Sequence, residues 1–274
     1  MHRLLVTIIL ALAASCATAQ NPPAVPLDHL PALAGDYLRI DSRELGRPFH
    51  IYVRYPENYA REPERLYPIV YLLDGDSLFP ILAPSHLFLT YDEQLPEAIV
   101  VGIAYGSFDP AINRRDVDFT VPGAVTFQRF LKTELLPLAE RRYRADPARR
   151  ILFGQSRGGG FVLYSAFTDP DLFWGRIASN PTLEPGRELF FGPPPSATRG
   201  DLRLVVTSGS RDRPRYRGAA LEWFRAWEGR RDAPWAVRPI SIEGGTHGAD
   251  SPRAYRAGML WLFGMAGEPA AAGR

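Results

Sequence analysis

Residues 149–159 read Arg-Arg-Ile-Leu-Phe-Gly-Gln-Ser-Arg-Gly-Gly, an apolar run followed by Gly-x-Ser-x-Gly centred on Ser156. The run over 151–153 is typical of a buried strand, and the apolar spacing after the turn predicts a helix that Asp169-Pro170 ends. A serine becomes a strong nucleophile when a tight strand-to-helix turn exposes its hydroxyl beside a base. Ser156 is therefore the candidate nucleophile.

His247 is the candidate base, because it is the only one of the five histidines that follows Ser156. It lies in a glycine-rich segment over 242–248, directly after a strand-like run over 237–242. Hydrolases built on this turn place the histidine last in the chain order of nucleophile, acid and base. The position of His247 therefore indicates a proton carrier for the serine.

Asp212 is the candidate acid, since it is the first carboxylate after the next-to-last strand candidate. It would accept the Nδ1–H of His247, select the imidazole tautomer and stabilise the imidazolium. Glu243 and Asp250 lie close to the histidine in sequence, and Asp201 precedes the strand, so these three carboxylates are alternatives. Asp201 would lie at the wrong end of its strand, and Glu243 is expected to point sideways from a strand end.

Apolar strand-like runs recur along the chain with helical patterns between them, at 48–54, 67–73, 98–104, 150–154, 175–179, 202–207 and 237–243. This alternation predicts an α/β fold with a mostly parallel central sheet covered by helices on both faces. Active sites of such sheets lie at the carboxyl ends of the strands, where Ser156, Asp212 and His247 all fall. The sequence contains no metal-ligand cluster and no phosphate-binding loop, so we predict no metal and no cofactor.

The amino-terminal region has the composition of an export signal, with a basic start, an apolar run too short to span a bilayer, and a small-x-small site at Ala17-Thr18-Ala19. We predict a signal peptide over 1–19, a flexible leader over 20–39 and a catalytic domain over 40–268, in the periplasm or secreted. Cleavage before Cys16, which would leave a lipid-anchored cysteine, is the alternative.

The composition is that of a globular enzyme. The 274-residue chain has a net charge of +2, which excludes the strongly basic signature of nucleic-acid binding. Cys16 is its sole cysteine, so a chain cut after residue 19 holds no disulfide and depends on its hydrophobic core. We expect a small-molecule ester as substrate, no nucleic-acid partner and no transmembrane segment in the mature chain. The oligomeric state is open.

A second motif, Tyr-Pro-Ile-Val-Tyr-Leu-Leu-Asp-Gly-Asp over 67–76, is a buried strand that ends in a glycine turn. In hydrolases with the nucleophile turn described above, two backbone N–H groups hold the carbonyl oxygen in the transition state. One belongs to the residue after the nucleophile, here Arg157, and the other to the loop after an earlier strand. We predict the N–H of Asp76 as the second donor, with Gly75 as the next choice.

Four motifs in this order resemble the "putative esterase" family of α/β hydrolases: 67–75, Gly-Gln-Ser-x-Gly-Gly over 154–159, Gly-x-x-Asp over 209–212 and Gly-x-x-His-Gly over 244–248. The resemblance covers residues 40–265. It implies an α/β-hydrolase fold and a Ser-His-Asp triad that acts through an acyl-enzyme.

Within that family the chain is most similar to the siderophore trilactone esterase branch, through its export signal and the segment Asn113-Arg114-Arg115-Asp116. In that branch an Arg-Arg-Asp segment borders the site. The resemblance therefore implies that Arg114 or Arg115 meets an anionic or catecholate substrate.

The sequence as a whole predicts an exported serine carboxylic-ester hydrolase. Two other functions fit the same residues. An alcohol in place of water would make the protein an acyltransferase, and loss of catalysis would leave a binding protein on a hydrolase scaffold.

Overall fold

Eight strands form one sheet in the computed structural model, which describes residues 34–265. The strands are β1 (Gly35–Ser42), β2 (Arg47–Arg54), β3 (Tyr67–Leu72), β4 (Ile99–Ala104), β5 (Ala145–Gln155), β6 (Gly175–Ser179), β7 (Leu202–Gly209) and β8 (Trp235–Ile242). The helices are α1 (Gly75–Glu93), α2 (Arg115–Asp118), α3 (Gly123–Phe130), α4 (Leu136–Arg142), α5 (Arg157–Thr168), α6 (Arg187–Phe190), α7 (Pro214–Trp227) and α8 (Ser251–Leu262). A π-helical turn, Leu131–Leu135, joins α3 to α4, and a 3₁₀ turn, Pro170–Leu172, follows α5.

The sheet order is β1-β2-β4-β3-β5-β6-β7-β8. Strands β3 to β8 pair in parallel, while β2 is antiparallel to both β1 and β4. Every residue of β4 is buried, because helices cover both faces of the central strands and leave no position for a polar side chain. The predicted mostly parallel sheet is confirmed.

Two apolar cores lie on the two faces of the sheet. One contains Phe127, Phe161 and Trp223 with most of the other buried apolar residues of α3, α4, α5 and α7. The second contains Leu82 and Met259 and joins α1 to α8. Helices therefore cover both faces, as the alternation of strand and helix patterns predicts.

The predicted flexible leader over 20–39 is wrong at its carboxyl end, because β1 begins at Gly35 and pairs along its full length with β2. In this edge strand only Ser42 is buried, so its composition does not distinguish it from an exposed leader. Because β1 buries few side chains, its backbone hydrogen bonds to β2 are what hold it in the sheet. The predicted signal peptide, Cys16 and residues 266–268 lie outside the described residues.

The parallel strands bring several chemically useful side chains to one edge. Asp74 follows β3, Ser156 follows β5, Asp212 follows β7 and His247 follows β8. Carboxyl ends of parallel strands share one edge of the sheet, so residues far apart in sequence become neighbours there. Between residues 34 and 265, no helix is both long and apolar enough to cross a membrane.

Candidate active site

Ser156 occupies the turn between β5 and α5, with φ 58° and ψ −114°. Residues other than glycine rarely adopt these angles, so surrounding contacts must hold the turn. The Ser156 N–H donates to the carbonyl oxygen of Ser179 at 2.9 Å, and the N–H of Thr182 donates to the Ser156 carbonyl at 2.9 Å. These two bonds, one to the last residue of β6 and one to the segment after it, fix the turn.

Two glycines make the turn possible through close backbone approach. A Cβ at Gly154 would lie 2.4 Å from the carbonyl oxygen of Gly158, so no larger residue fits where β5 meets α5. A Cβ at Gly159 would lie 2.9 Å from the carbonyl oxygen of Ser179, where α5 approaches the end of β6. The Gly-x-Ser-x-Gly-Gly pattern is therefore a packing requirement of the turn.

The three predicted triad residues are in direct contact. The Ser156 Oγ lies 2.7 Å from His247 Nε2, and His247 Nδ1 lies 3.0 and 2.9 Å from the two carboxylate oxygens of Asp212. The side chain of Asp212 is buried, and the backbone N–H of Arg213 donates to it at 2.6 Å. This arrangement can carry a proton from the serine hydroxyl to the imidazole while a buried carboxylate stabilises the resulting charge.

The other three candidate acids do not contact His247. Asp201 lies at the amino end of β7, where it pairs with Arg149 and Arg199. Asp250 precedes α8 and pairs with Arg253 at 3.3 Å. Glu243 is exposed, its backbone carbonyl accepts a hydrogen bond from Arg253, and its carboxylate makes no ion pair with any residue between 34 and 265. Among the described candidates, Asp212 alone bonds to the imidazole.

Sequence reasoning missed two further contacts of His247. The ring of Tyr216 stacks on the imidazole, with ring centroids 4.4 Å apart and an interplanar angle of 22°. The Gln155 side chain donates to the His247 carbonyl oxygen. Tyr216 lies in the first turn of α7, four residues after the acid, and that position is the only signal the sequence offers for it.

The predicted backbone donors lie at the starts of two helices. α1 begins at Gly75, directly after Asp74 in the left-handed region with φ 54°, and α5 begins at Arg157 directly after Ser156. N–H groups in the first turn of a helix have no acceptor within that helix, so they are available to a ligand. Asp76 and Ser156 line one cavity of about 300 Å³.

The side chain of Asp76 has a role that the sequence does not indicate. Its two carboxylate oxygens accept hydrogen bonds from the N–H groups of Tyr105 and Gly106, at 2.7 and 2.8 Å. Because these residues follow β4, the carboxylate fastens the start of α1 to the neighbouring loop. The predicted donor loop is therefore held in place by its own side chain.

Arg114 and Arg115 are in different surroundings. Arg115 donates two hydrogen bonds to Asp74, with Nε–Oδ1 at 2.7 Å and Nη2–Oδ2 at 3.0 Å, and it lines the same cavity as Ser156. Burial disfavours its charge, but the bonds and charge of Asp74 raise the pKa of the Arg115 guanidinium above its ordinary value. Arg114 is exposed and does not line the cavity.

A mostly parallel sheet covered on both faces, with a serine on a tight turn after β5, defines a protein of the α/β-hydrolase fold. Within that fold the chain belongs to the Esterase family, described as "Putative esterase", whose sequence pattern matches residues 42–253.

Two curated relatives share sequence with the chain. Ferri-bacillibactin esterase BesA of Bacillus subtilis is 32% identical over 169 residues, which cover 53% of this chain and 57% of the relative. Siderophore triacetylfusarinine C esterase of Aspergillus fumigatus is 31% identical over 189 residues, which cover 60% of this chain and 59% of the relative. The chain thus spans little more than half the length of these two relatives.

Solved structures share the fold. The crystal structure of the BES protein from Bacillus cereus superposes with a TM-score of 0.73, covers 89% of this chain and 98% of its own, and is 20% identical. At this identity the superposition supports the α/β-hydrolase fold and says nothing about substrate.

Proposed function

We propose that the chain is a serine carboxylic-ester hydrolase that acts through an acyl-enzyme. The observation that carries the proposal is the 2.7 Å contact between Ser156 Oγ and a His247 imidazole that is itself bonded to the buried Asp212. Membership of the Esterase family supports the same reaction class.

In the proposed mechanism, Ser156 Oγ attacks the ester carbonyl carbon while His247 Nε2 takes the hydroxyl proton. Asp212 holds the Nδ1–H and stabilises the imidazolium. The tetrahedral intermediate then collapses as His247 returns the proton to the alcohol oxygen, which leaves. Water attacks the acyl-enzyme by the same route and releases the acid. These steps require no cofactor.

The N–H groups of Arg157 and Asp76, with Gly75 as the next candidate, are the proposed donors to the carbonyl oxygen as it becomes negative. Both lie in the first turn of a helix, where unpaired N–H groups and the positive end of the helix dipole favour an anion. A preorganised donor of this kind contributes about 10²–10³ in rate.

Siderophore-type esters are the proposed substrate class, in an exported protein. Two relatives that share sequence with this chain are named as esterases of siderophores, and the amino-terminal composition is that of an export signal. Arg115, which lines the cavity beside Ser156, remains a candidate contact for an anionic or catecholate group. Arg114 is a candidate for the outer part of a large substrate.

The decisive experiment is Ser156→Ala, assayed with p-nitrophenyl acetate and with a fluorophosphonate label. We expect turnover to fall by about 10⁴–10⁶ and labelling to disappear, with the fold intact. Ser85→Ala is the control, because the Ser85 hydroxyl donates to a carbonyl of its own helix, away from the site. A loss below about tenfold would identify the wrong serine.

The same assays separate the alternative functions. A binding protein on this scaffold would take up no fluorophosphonate. An acyltransferase would give ester products when alcohols are added, whereas a hydrolase would give mainly the free acid.

A further inference from the structure

A cleft of about 700 Å³ opens near the proposed nucleophile and shares no lining residue with the cavity that contains Asp76. We call it the α6 cleft; five of its lining residues are Phe119, Tyr164, Thr182, Leu189 and Phe190. The Thr182 Oγ1 lies 3.5 Å from Ser156 Oγ, so the inner end of the cleft reaches the reacting atom.

The floor of the α6 cleft is aromatic and rigid. Phe119 and Tyr164 both pack on the fully buried Phe161, with ring centroids 5.7 and 5.9 Å away. Phe190 packs on Phe167 at 6.0 Å, and its carbonyl oxygen accepts a hydrogen bond from the buried Trp227 at 2.9 Å. These contacts form the floor before any ligand arrives, and preformed aromatic surfaces favour another ring.

The charges around the α6 cleft do not favour an anion. Arg157 pairs with Asp116 at 2.7 Å, and Arg187 pairs with Glu222, so both guanidinium groups are already neutralised. Glu184 and Glu188 are exposed and make no ion pair within residues 34–265. The apolar floor suits an uncharged group, and the excess carboxylate at the rim disfavours an anion.

The geometry of ester cleavage decides which part of the substrate points into this cleft. The leaving alcohol oxygen must face His247 Nε2, which protonates it. The carbonyl oxygen must face the N–H groups at the starts of α1 and α5. The α6 cleft contains no residue of the loops that carry Asp212 and His247 and none of α1, and Arg157 is the one proposed donor residue that borders it. It therefore receives the remaining substituent of the carbonyl carbon, which is the acid portion.

We propose that the α6 cleft binds the acid portion of the ester and selects acyl groups that end in an uncharged aromatic ring. This inference rests on the proposed hydrolase function. It adds to that function that the acid portion of the ester, and not the alcohol portion, determines specificity.

The test compares two p-nitrophenyl esters that share a leaving group and a saturated acyl carbon, the acetate and the 3-phenylpropanoate. For the wild type we expect kcat/KM to be at least about tenfold higher for the phenylpropanoate, since the added ring is buried. Leu189→Trp fills the cleft and should lower this ratio by about tenfold or more. Val125→Trp, which adds the same bulk at an exposed position of α3 outside the cleft, should leave the ratio unchanged.

A ring on the alcohol side tests the direction of binding. 2-Naphthyl acetate should be much less sensitive to Leu189→Trp than the phenylpropanoate is. Leu189→Ala, which enlarges the cleft, should shift the acyl preference from the phenylpropanoate towards 3-(2-naphthyl)propanoate. If the tryptophan variant does not fold, this alanine variant tests whether the cleft binds the acid portion.

A wild-type ratio near one, equal losses on both ring-bearing esters, or an unchanged preference in the alanine variant would overturn the inference. These outcomes differ from failure of the proposed function, which would appear as full acetate turnover by Ser156→Ala.

Discussion

Ser156 holds backbone angles that cost about 1–3 kcal/mol for a residue other than glycine. Two hydrogen bonds offset that cost, one from the Ser156 N–H to the Ser179 carbonyl and one from the Thr182 N–H to the Ser156 carbonyl. The strain has a use, because the turn aims the hydroxyl at His247 and leaves the following N–H, that of Arg157, free at the start of α5. At the residue scale, the proposed chemistry depends on one strained turn and one buried carboxylate.

Asp212→Asn tests that carboxylate. Its Oδ1 already accepts the N–H of Arg213, so the amide oxygen will take that bond and the NH₂ group will occupy the Oδ2 position, 2.9 Å from His247 Nδ1. This stabilises the wrong imidazole tautomer, and we expect kcat for p-nitrophenyl acetate to fall by as much as ~10⁴. Asp201→Asn at the other end of β7 is the control. Near-normal turnover by Asp212→Asn together with an inactive Glu243→Gln would show that the acid is misassigned.

Arg115 and Arg114 should respond differently to replacement by alanine. Arg115→Ala leaves the Asp74 carboxylate unpaired two residues before the proposed donor Asp76, so turnover of even a small neutral ester should fall by about tenfold or more. Arg114→Ala should change neutral-ester turnover by less than about twofold, since its side chain is exposed. The measurement is kcat/KM of each single variant on p-nitrophenyl acetate. Equal effects would show that the Asp74 pair does not support the donor loop.

Helices α1 and α8 pack on the same face of the sheet, and a buried polar contact joins them. His86 on α1 lies with Nδ1 2.9 Å from the Tyr255 hydroxyl on α8 and with Nε2 3.2 Å from the carbonyl oxygen of Pro96. The carbonyl requires a proton on Nε2, so Nδ1 accepts the hydroxyl of Tyr255 and the ring is neutral. Burial, together with the positive charge of Arg54, lowers the pKa of His86 to about 4.

This contact predicts the acid sensitivity of the fold. The pKa of His86 is lower in the folded state than its ordinary value of 6.5, so its contribution to stability is complete above that value and is lost as the pH falls towards 4. The loss amounts to about 3 kcal/mol in the free energy of unfolding. Urea unfolding between pH 7 and pH 4 should show a smaller loss for His86→Gln than for the wild type. His50→Gln is the control, and identical pH slopes for wild type and His86→Gln would contradict the prediction.

The whole molecule carries a net charge of only +2, but its positive charge is unevenly placed. Arg211, Arg213 and Arg215 are exposed around Asp212, the proposed acid, and none of them makes an ion pair with another described residue. They lie on the His247 side of the site, where the leaving alcohol of the proposed reaction faces. Fields from such clusters raise the encounter rate of oppositely charged ligands and are screened by salt.

An anionic leaving group should therefore make the reaction salt-dependent. We expect kcat/KM for 4-acetoxybenzoate to fall about threefold or more between about 20 and about 500 mM NaCl, with little change for p-nitrophenyl acetate. Replacement of Arg211, Arg213 and Arg215 together by glutamine should remove most of this dependence.

The matched control for that triple variant replaces three exposed arginines away from the site, Arg61, Arg225 and Arg231, by glutamine. It makes the same change in net charge. If both triple variants reduce the salt dependence equally, net charge and not local placement accounts for the effect.

The sequence by itself was sufficient for the strand–turn–helix around Ser156, the mostly parallel sheet, and the choice of Asp212 and His247 as its partners. All three inferences depend on local patterns or on chain order. Apolar runs mark strands, glycines allow two backbones to approach, and parallel strands bring their carboxyl ends to one edge. The contacts of Ser156, His247 and Asp212 agree with that reasoning, and their catalytic roles remain predictions.

Only the tertiary structure decided which neighbouring side chains support the site. It separates Arg115, paired with Asp74, from the exposed Arg114, and it places Tyr216 against the imidazole. It also makes Gly35 the start of a strand. These relations join residues that are tens of positions apart, through an ion pair, a ring face or a partner strand. Local composition does not encode them, because each depends on which distant backbone the folded sheet brings alongside.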